Sequence, residues 1–234
     1  MSPRDEAAPD GDAGVPPSAT PAAVRAQLLA TEHWSLLASR STTQGEVLTR
    51  ISMFLTFTSA SLLSAALVGQ ATRFSDTFIT FGIVVLCIDL AIGLLTQIRV
   101  MNVGMEDLMY VIAMNRLRAA YVELDPGLAR YLMAEYHDDE AGSMKTYDFL
   151  GGSTTFRHVA GSSMTFITAV NAALIALLLG TVLVLPGVPL PLAIPLAAVG
   201  GLAFAGWSLA QGYRRYSATW RNFTPLSPTP PEGA

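Results

Sequence analysis

Charged residues are scarce in this chain. They make up 14% of its 234 residues, against about 25% in an average soluble chain. The deficit falls in patches, which points to a membrane protein rather than a greasy globule. Cysteine is nearly absent too. Cys87 stands alone, so no intrachain disulfide can form. A basic surplus is also missing, since the net charge is −4, and no nucleic-acid partner is expected. Residues 1–20 are acidic and rich in Pro, Ala and Gly, without the apolar core of a secretory signal. The first hydrophobic segment is therefore expected to serve as an uncleaved signal-anchor. No serine, cysteine or paired-carboxylate arrangement resembles a catalytic set, so no catalytic residue and no cofactor is expected.

What is present is apolar length. A helix needs roughly 20 apolar residues to cross the hydrocarbon of a bilayer. Four segments reach that length, at about 51–70, 78–98, 164–185 and 190–210. Basic residues set the orientation. Arg25, Arg40 and Arg50 precede the first segment, six lie between the second and third, and Arg214, Arg215 and Arg221 follow the fourth. The two remaining loops carry only Arg73. Lys and Arg favour the cytoplasmic side, so both termini and the middle region are expected inside, in an inner (cytoplasmic) membrane.

The expected fold is an all-α membrane protein with four transmembrane helices in two antiparallel hairpins. Residues 1–20 and the tail from Thr224 read as disordered, because they bury too little to offset chain entropy. Residues 21–124 form the first hairpin, and it extends into the cytoplasm. Helix begins near Thr20-Pro21, and Gly45 is its weak point. The apolar pattern of the second arm runs on through Met101, Met105, Met109 and Ile112 to Leu124. It stops at Asp125-Pro126, since the residue before proline avoids the α region. Residues 125–160 form a connector with a short helix over 126–136. Residues 161–212 form the second hairpin, and 213–234 a basic-aromatic interface and tail. The partners expected are the lipid bilayer, further copies in a homo-oligomer, and a cytoplasmic protein on residues 21–45 and 100–124.

The residue that stands out is Asp89, in the middle of the second segment. A charge at that depth costs at least ~2.5 kcal/mol, so it must be paired, neutralised or wetted. No Lys or Arg lies within any segment. On a helix Gly82, Leu86, Asp89, Gly93 and Thr96 share one stripe, and small residues there let helices approach closely. The first segment has a stripe of Ser52, Thr56, Ser59, Leu63, Ala66 and Gln70. Thr56 and Ser59 are expected to face Asp89, and Asn171 in the third segment to join them. Ala193, Ala197, Gly201 and Ala205 in the fourth form a packing face. Asp89 then either handles protons or cations, or is a protonated residue bonded to Ser59, Thr56 or Asn171 that sets helix register.

Weaker signals lie outside the segments. His137-Asp138-Asp139-Glu140 gathers metal-ligand types, but adjacent residues on one loop rarely converge, so no metal site is expected. Gly151–Thr155 precedes a helix and could cradle an anion, though it lacks the lysine of a nucleotide loop. The methionines of the second arm fit ordinary packing against the first arm.

Glu32-His33-Trp34-Ser35-Leu36-Leu37-Ala38-Ser39-Arg40, Met53-Phe54-Leu55-Thr56, Met114-Asn115-Arg116-Leu117-Arg118-Ala119-Ala120-Tyr121 and His137-Asp138-Asp139 resemble uncharacterised bacterial integral membrane proteins. The resemblance covers about 28–140 and implies a multi-pass protein with no assigned catalytic residue. The layout is also similar to two-span effector domains proposed to form pores, with a second hairpin added. Two functions are thus expected: a small oligomeric ion or proton channel or transporter-like protein using Asp89, or a non-catalytic membrane scaffold whose cytoplasmic helices bind a partner.

Overall fold

The computed structural model describes residues 20–148 and 162–231. They form α1 (Ala22–Ala71), α2 (Asp76–Leu124), a 3₁₀ turn (Pro126–Tyr131), α3 (Glu140–Tyr147), α4 (Ser163–Val184) and α5 (Leu190–Asn222), with no strand among the described residues. Four helices, α1, α2, α4 and α5, are long and apolar enough to cross a membrane. That fits a multi-pass membrane protein.

α1 runs unbroken through Gly45 for 50 residues, about 75 Å at 1.5 Å per residue. A glycine inside a helix costs about 1 kcal/mol relative to alanine. Bonds to α2 on both sides of Gly45 offset that cost. Arg40 donates to Asp107 at 2.6 and 3.1 Å, Gln44 donates to the same carboxylate at 2.7 Å, and Arg99 reaches Glu46 at 2.9 Å. Further along, Arg25 pairs with Glu123, and Phe54 lies against Gly93. The order of partners along α2 is thus the reverse of their order along α1. The buried apolar core joins Val47, Ile51 and Phe54 of α1 to Leu86, Val100 and Val103 of α2 and to Ile167 and Leu174 of α4.

α2 ends at Asp125-Pro126 as its sequence requires, and the Asp125 carboxylate accepts from Gly127 N–H. The helix expected over 126–136 shortens to the 3₁₀ turn. Backbone donors beyond it are taken elsewhere: Tyr136 N–H by the Glu135 carboxylate and Asp138 N–H by the Ser227 carbonyl. The end of α2 is held from inside by Asn115, which is fully buried. Its amide donates to the His137 carbonyl, and its oxygen accepts from Arg118 and from Thr146 of α3.

The tail departs most from the sequence reading. Residues 224–231 have no helix or strand, yet they are tied down. Leu226 and Ser227 N–H donate to the Asp138 carboxylate at 3.0 and 2.8 Å. Thr229 N–H and its hydroxyl donate to Asp139 at 2.8 and 2.9 Å. Burial alone would push both carboxyls up. The Arg116 guanidinium and tail N–H groups at Asp138 outweigh it, as do Gly142 N–H and Thr229 at Asp139, and both sit below their ordinary 3.8. The released tail therefore leaves carboxylates that bind protons more readily. Docking contributes fully above 3.8 and is lost as pH falls through the depressed values. Acidification below 3.8 is expected to expose residues 224–231 to protease before helix content falls. Equal cleavage across that range would contradict the linkage.

Candidate functional site

Asp89 has no exposed surface, and neither carboxylate oxygen has a hydrogen-bond partner among the described residues. Its surroundings follow from helix geometry. Phe54 lies against Gly93, with the ring carbon 2.8 Å from where a Cβ would stand. One turn back along α2 is Asp89, and one turn on along α1 is Thr58, so this reversed pairing sets Thr58 level with Asp89. Thr58 is 6% exposed, and its hydroxyl also has no partner. Ser61, one turn further, is half-buried and close enough to act on the Asp89 carboxyl.

α4 closes the other side. Asn171 and Thr168 are buried, and Gln97 of α2 links them. Asn171 donates to the Gln97 oxygen at 2.7 Å, and the Gln97 amide donates to Thr168 at 3.2 Å. That leaves the Asn171 oxygen without a donor. It lies against the bare Gly93 backbone, where any Cβ would collide with it. Gly93 and Asp89 stand four apart, about 5–6 Å along the stripe.

The expected residues divide as follows. Asp89, Gly93, Thr96 and Asn171 are brought to one buried seam, though the Thr96 hydroxyl is spent on the Ile92 carbonyl. Thr56 and Ser59 are not part of it. Both are exposed on the far side of α1, and Thr56 donates to the Ser52 carbonyl. Thr58 and Ser61 take their place. Gly82 makes no close contact, since a Cβ there would meet nothing within 4 Å. Ala193, Ala197 and Gly201 are buried against α4, where Gly201 leaves 2.6 Å between a Cβ and the Ala172 carbonyl; Ala205 is half-buried. Gln97 was missed by sequence reasoning, although an amide one residue after Thr96 and four after Gly93 is a signal for the same face.

The seam is rich in acceptors and poor in donors. Two Asp89 oxygens and the Asn171 oxygen face two hydroxyls, the buried one of Thr58 and that of Ser61 beside the Asp89 carboxyl. No described Lys or Arg pairs with Asp89. A divalent hard cation takes about six or more oxygens, more than these side chains supply. A proton needs one. What the arrangement can hold chemically is therefore a single proton on Asp89.

A second polar cluster forms at the charged end of α2. Arg116 reaches Asp138 at 2.5 Å, Asn115 holds the His137 carbonyl, and His33 stacks on Tyr121 with ring centroids 6.0 Å apart. Three separate sequence stretches, 32–40, 114–121 and 137–139, thus meet in one place. No group of three or more His, Cys, Asp or Glu is placed to hold a metal among the described residues. Asp139 instead caps α3 through Gly142 N–H. The Gly151–Thr155 stretch lies outside the described residues. No family model, curated protein or solved structure matches the chain.

Proposed function

We propose that this chain is a four-span inner-membrane protein with both ends in the cytoplasm, and that Asp89 is a proton-binding residue of a small oligomeric channel or transporter-like protein. In this reading the hairpins α1–α2 and α4–α5 cross the bilayer, and residues 22–45 and 100–124 project inward. The observation that carries the reading is the unsatisfied state of Asp89. A fully buried carboxyl with two partnerless oxygens, beside the partnerless Thr58 hydroxyl and Asn171 oxygen, is expensive to retain for packing alone. Sealed as it is, the site must open to one side to exchange its proton, as intramembrane relays do. Reconstituted protein is expected to pass protons down a pH gradient, and Asp89→Asn to abolish the flux while the helices stay folded. Undiminished flux in Asp89→Asn rejects the role.

A second reading, the scaffold, has its own support. The first arm of α1 exposes Val24, Leu28, Trp34 and Leu37, with Trp34 71% exposed. These side chains lie beyond the expected membrane boundary, on the arm that carries His33. They suit a cytoplasmic protein partner. Deleting residues 21–45 should then remove captured partners while the spans still insert. An unchanged set of partners would count against it.

A further inference from the structure

The docked tail reads as a peptide in a receptor site. From Leu226 to Pro231 the backbone has only three N–H groups, at Leu226, Ser227 and Thr229. All three donate to Asp138 or Asp139. Pro228, Pro230 and Pro231 have no N–H to satisfy, and they fall where no acceptor is offered. Pairing also runs the other way, since Asp138 N–H donates to the Ser227 carbonyl at 3.1 Å. The side chains alternate: Ser227 and Thr229 are half-buried, and Leu226, Pro228 and Pro230 point outward. The backbone bends at Leu226–Ser227, and the prolines beyond restrict the segment before it binds, which lowers the entropy lost on docking.

The receptor is built rather than incidental. Asp138 is 0% exposed and is held by Arg116, whose guanidinium also lies 5.0 Å from the Phe223 ring and donates to the Thr224 carbonyl. Asp139 is fixed by its bond to Gly142 N–H at 2.8 Å. A side chain at Gly142 would collide with the His137 carbonyl, so the turn that presents both carboxylates depends on that glycine.

We propose that Arg116, Asp138 and Asp139 form a binding site for a Ser-Pro-Thr-Pro peptide, and that the C-terminal tail is its built-in, displaceable occupant. The site reads backbone N–H groups at three positions and the hydroxyl at Thr229. A phosphate on that hydroxyl would remove the donor and set a dianion beside Asp139. Thr229 is thus the position at which modification releases the tail and opens the site to a peptide of the same chemistry from another protein.

The test uses a synthetic peptide of residues 224–234 and the chain truncated after Phe223, with helix content checked. The peptide should bind saturably, and at least ten-fold more weakly to the intact chain, where the tethered tail competes at high effective concentration. The peptide phosphorylated at Thr229, and the Asp138→Asn truncated chain, should each weaken binding at least ten-fold. No binding to a folded truncated chain, or equal binding of the phosphopeptide, overturns the proposal. A second measurement holds even if truncation unfolds the protein. A spin label at Leu226→Cys in a Cys87→Ser full-length chain should be immobile and become mobile on Asp138→Asn. A label already mobile in the otherwise native chain overturns it.

Discussion

Gly93→Val is expected to leave little folded protein. The bare backbone at 93 is where α1, α2 and α4 meet, and a Cβ alone would collide with the Asn171 oxygen and stand 2.8 Å from Phe54. Neither neighbour can retreat cheaply. Phe54 is 2% exposed in the core, and Asn171 is bonded to Gln97 at 2.7 Å. Overpacking costs about 1–3 kcal/mol, and breaking the Asn171–Gln97 bond leaves buried polar groups unpaired at a further ~1–3 kcal/mol. Against a total stability of roughly 5–15 kcal/mol, that is a large fraction. Gly82→Ala is the matched control. Nothing lies within 4 Å of a Cβ there, so it should be neutral or gain ~0.5–1 kcal/mol of helix propensity. Thermal unfolding in detergent distinguishes the two. A Gly93→Val protein that melts with the wild type would mean that the three helices do not meet at this residue.

Asp89→Leu should act in the opposite direction on stability. Leucine keeps the branched shape and the number of heavy atoms, and it removes two buried oxygens that have no partner. Relief of that burden is worth about 1–3 kcal/mol, so the variant should melt higher than the wild type while losing proton flux. A residue kept for function at the expense of the fold behaves this way. If Asp89 instead sets helix register through a hydrogen bond, the same substitution should lower the melting temperature, because the partner would be stranded. The sign of the shift decides between the two roles.

Much of the architecture was legible in the sequence, because apolar runs of span length dominate it. Continuity through Gly45 was not, since it rests on bonds from Arg40, Gln44 and Glu46 to residues of α2. The seam itself was half legible. Asp89 stands out as a charge inside a span, Gly93 lies on its stripe, and Asn171 is a polar residue of the third segment, but the face of α1 that meets them is not the Ser/Thr stripe. The cause is physical. Ser and Thr hydroxyls bond carbonyls of their own helix, as Ser52 and Thr56 do here. Their polarity therefore does not mark the inward face. Val47, Ile51, Phe54 and Thr58 mark it instead. The tail was illegible for a different reason. Its composition argues for disorder, and its anchors, Asp138 and Asp139, lie 88 to 90 residues away in sequence.

Whether Asp89 holds a proton in a sealed seam can be read from its carboxyl vibrations. Infrared difference spectroscopy of wild type minus Asp89→Asn, in lipid at neutral pH without added metal ions, isolates them. The expected difference is the carboxyl stretch of one protonated acid, present in the wild type and absent from the variant. The bands of an ionised carboxylate at Asp89 under the same conditions would contradict the proton-binding role.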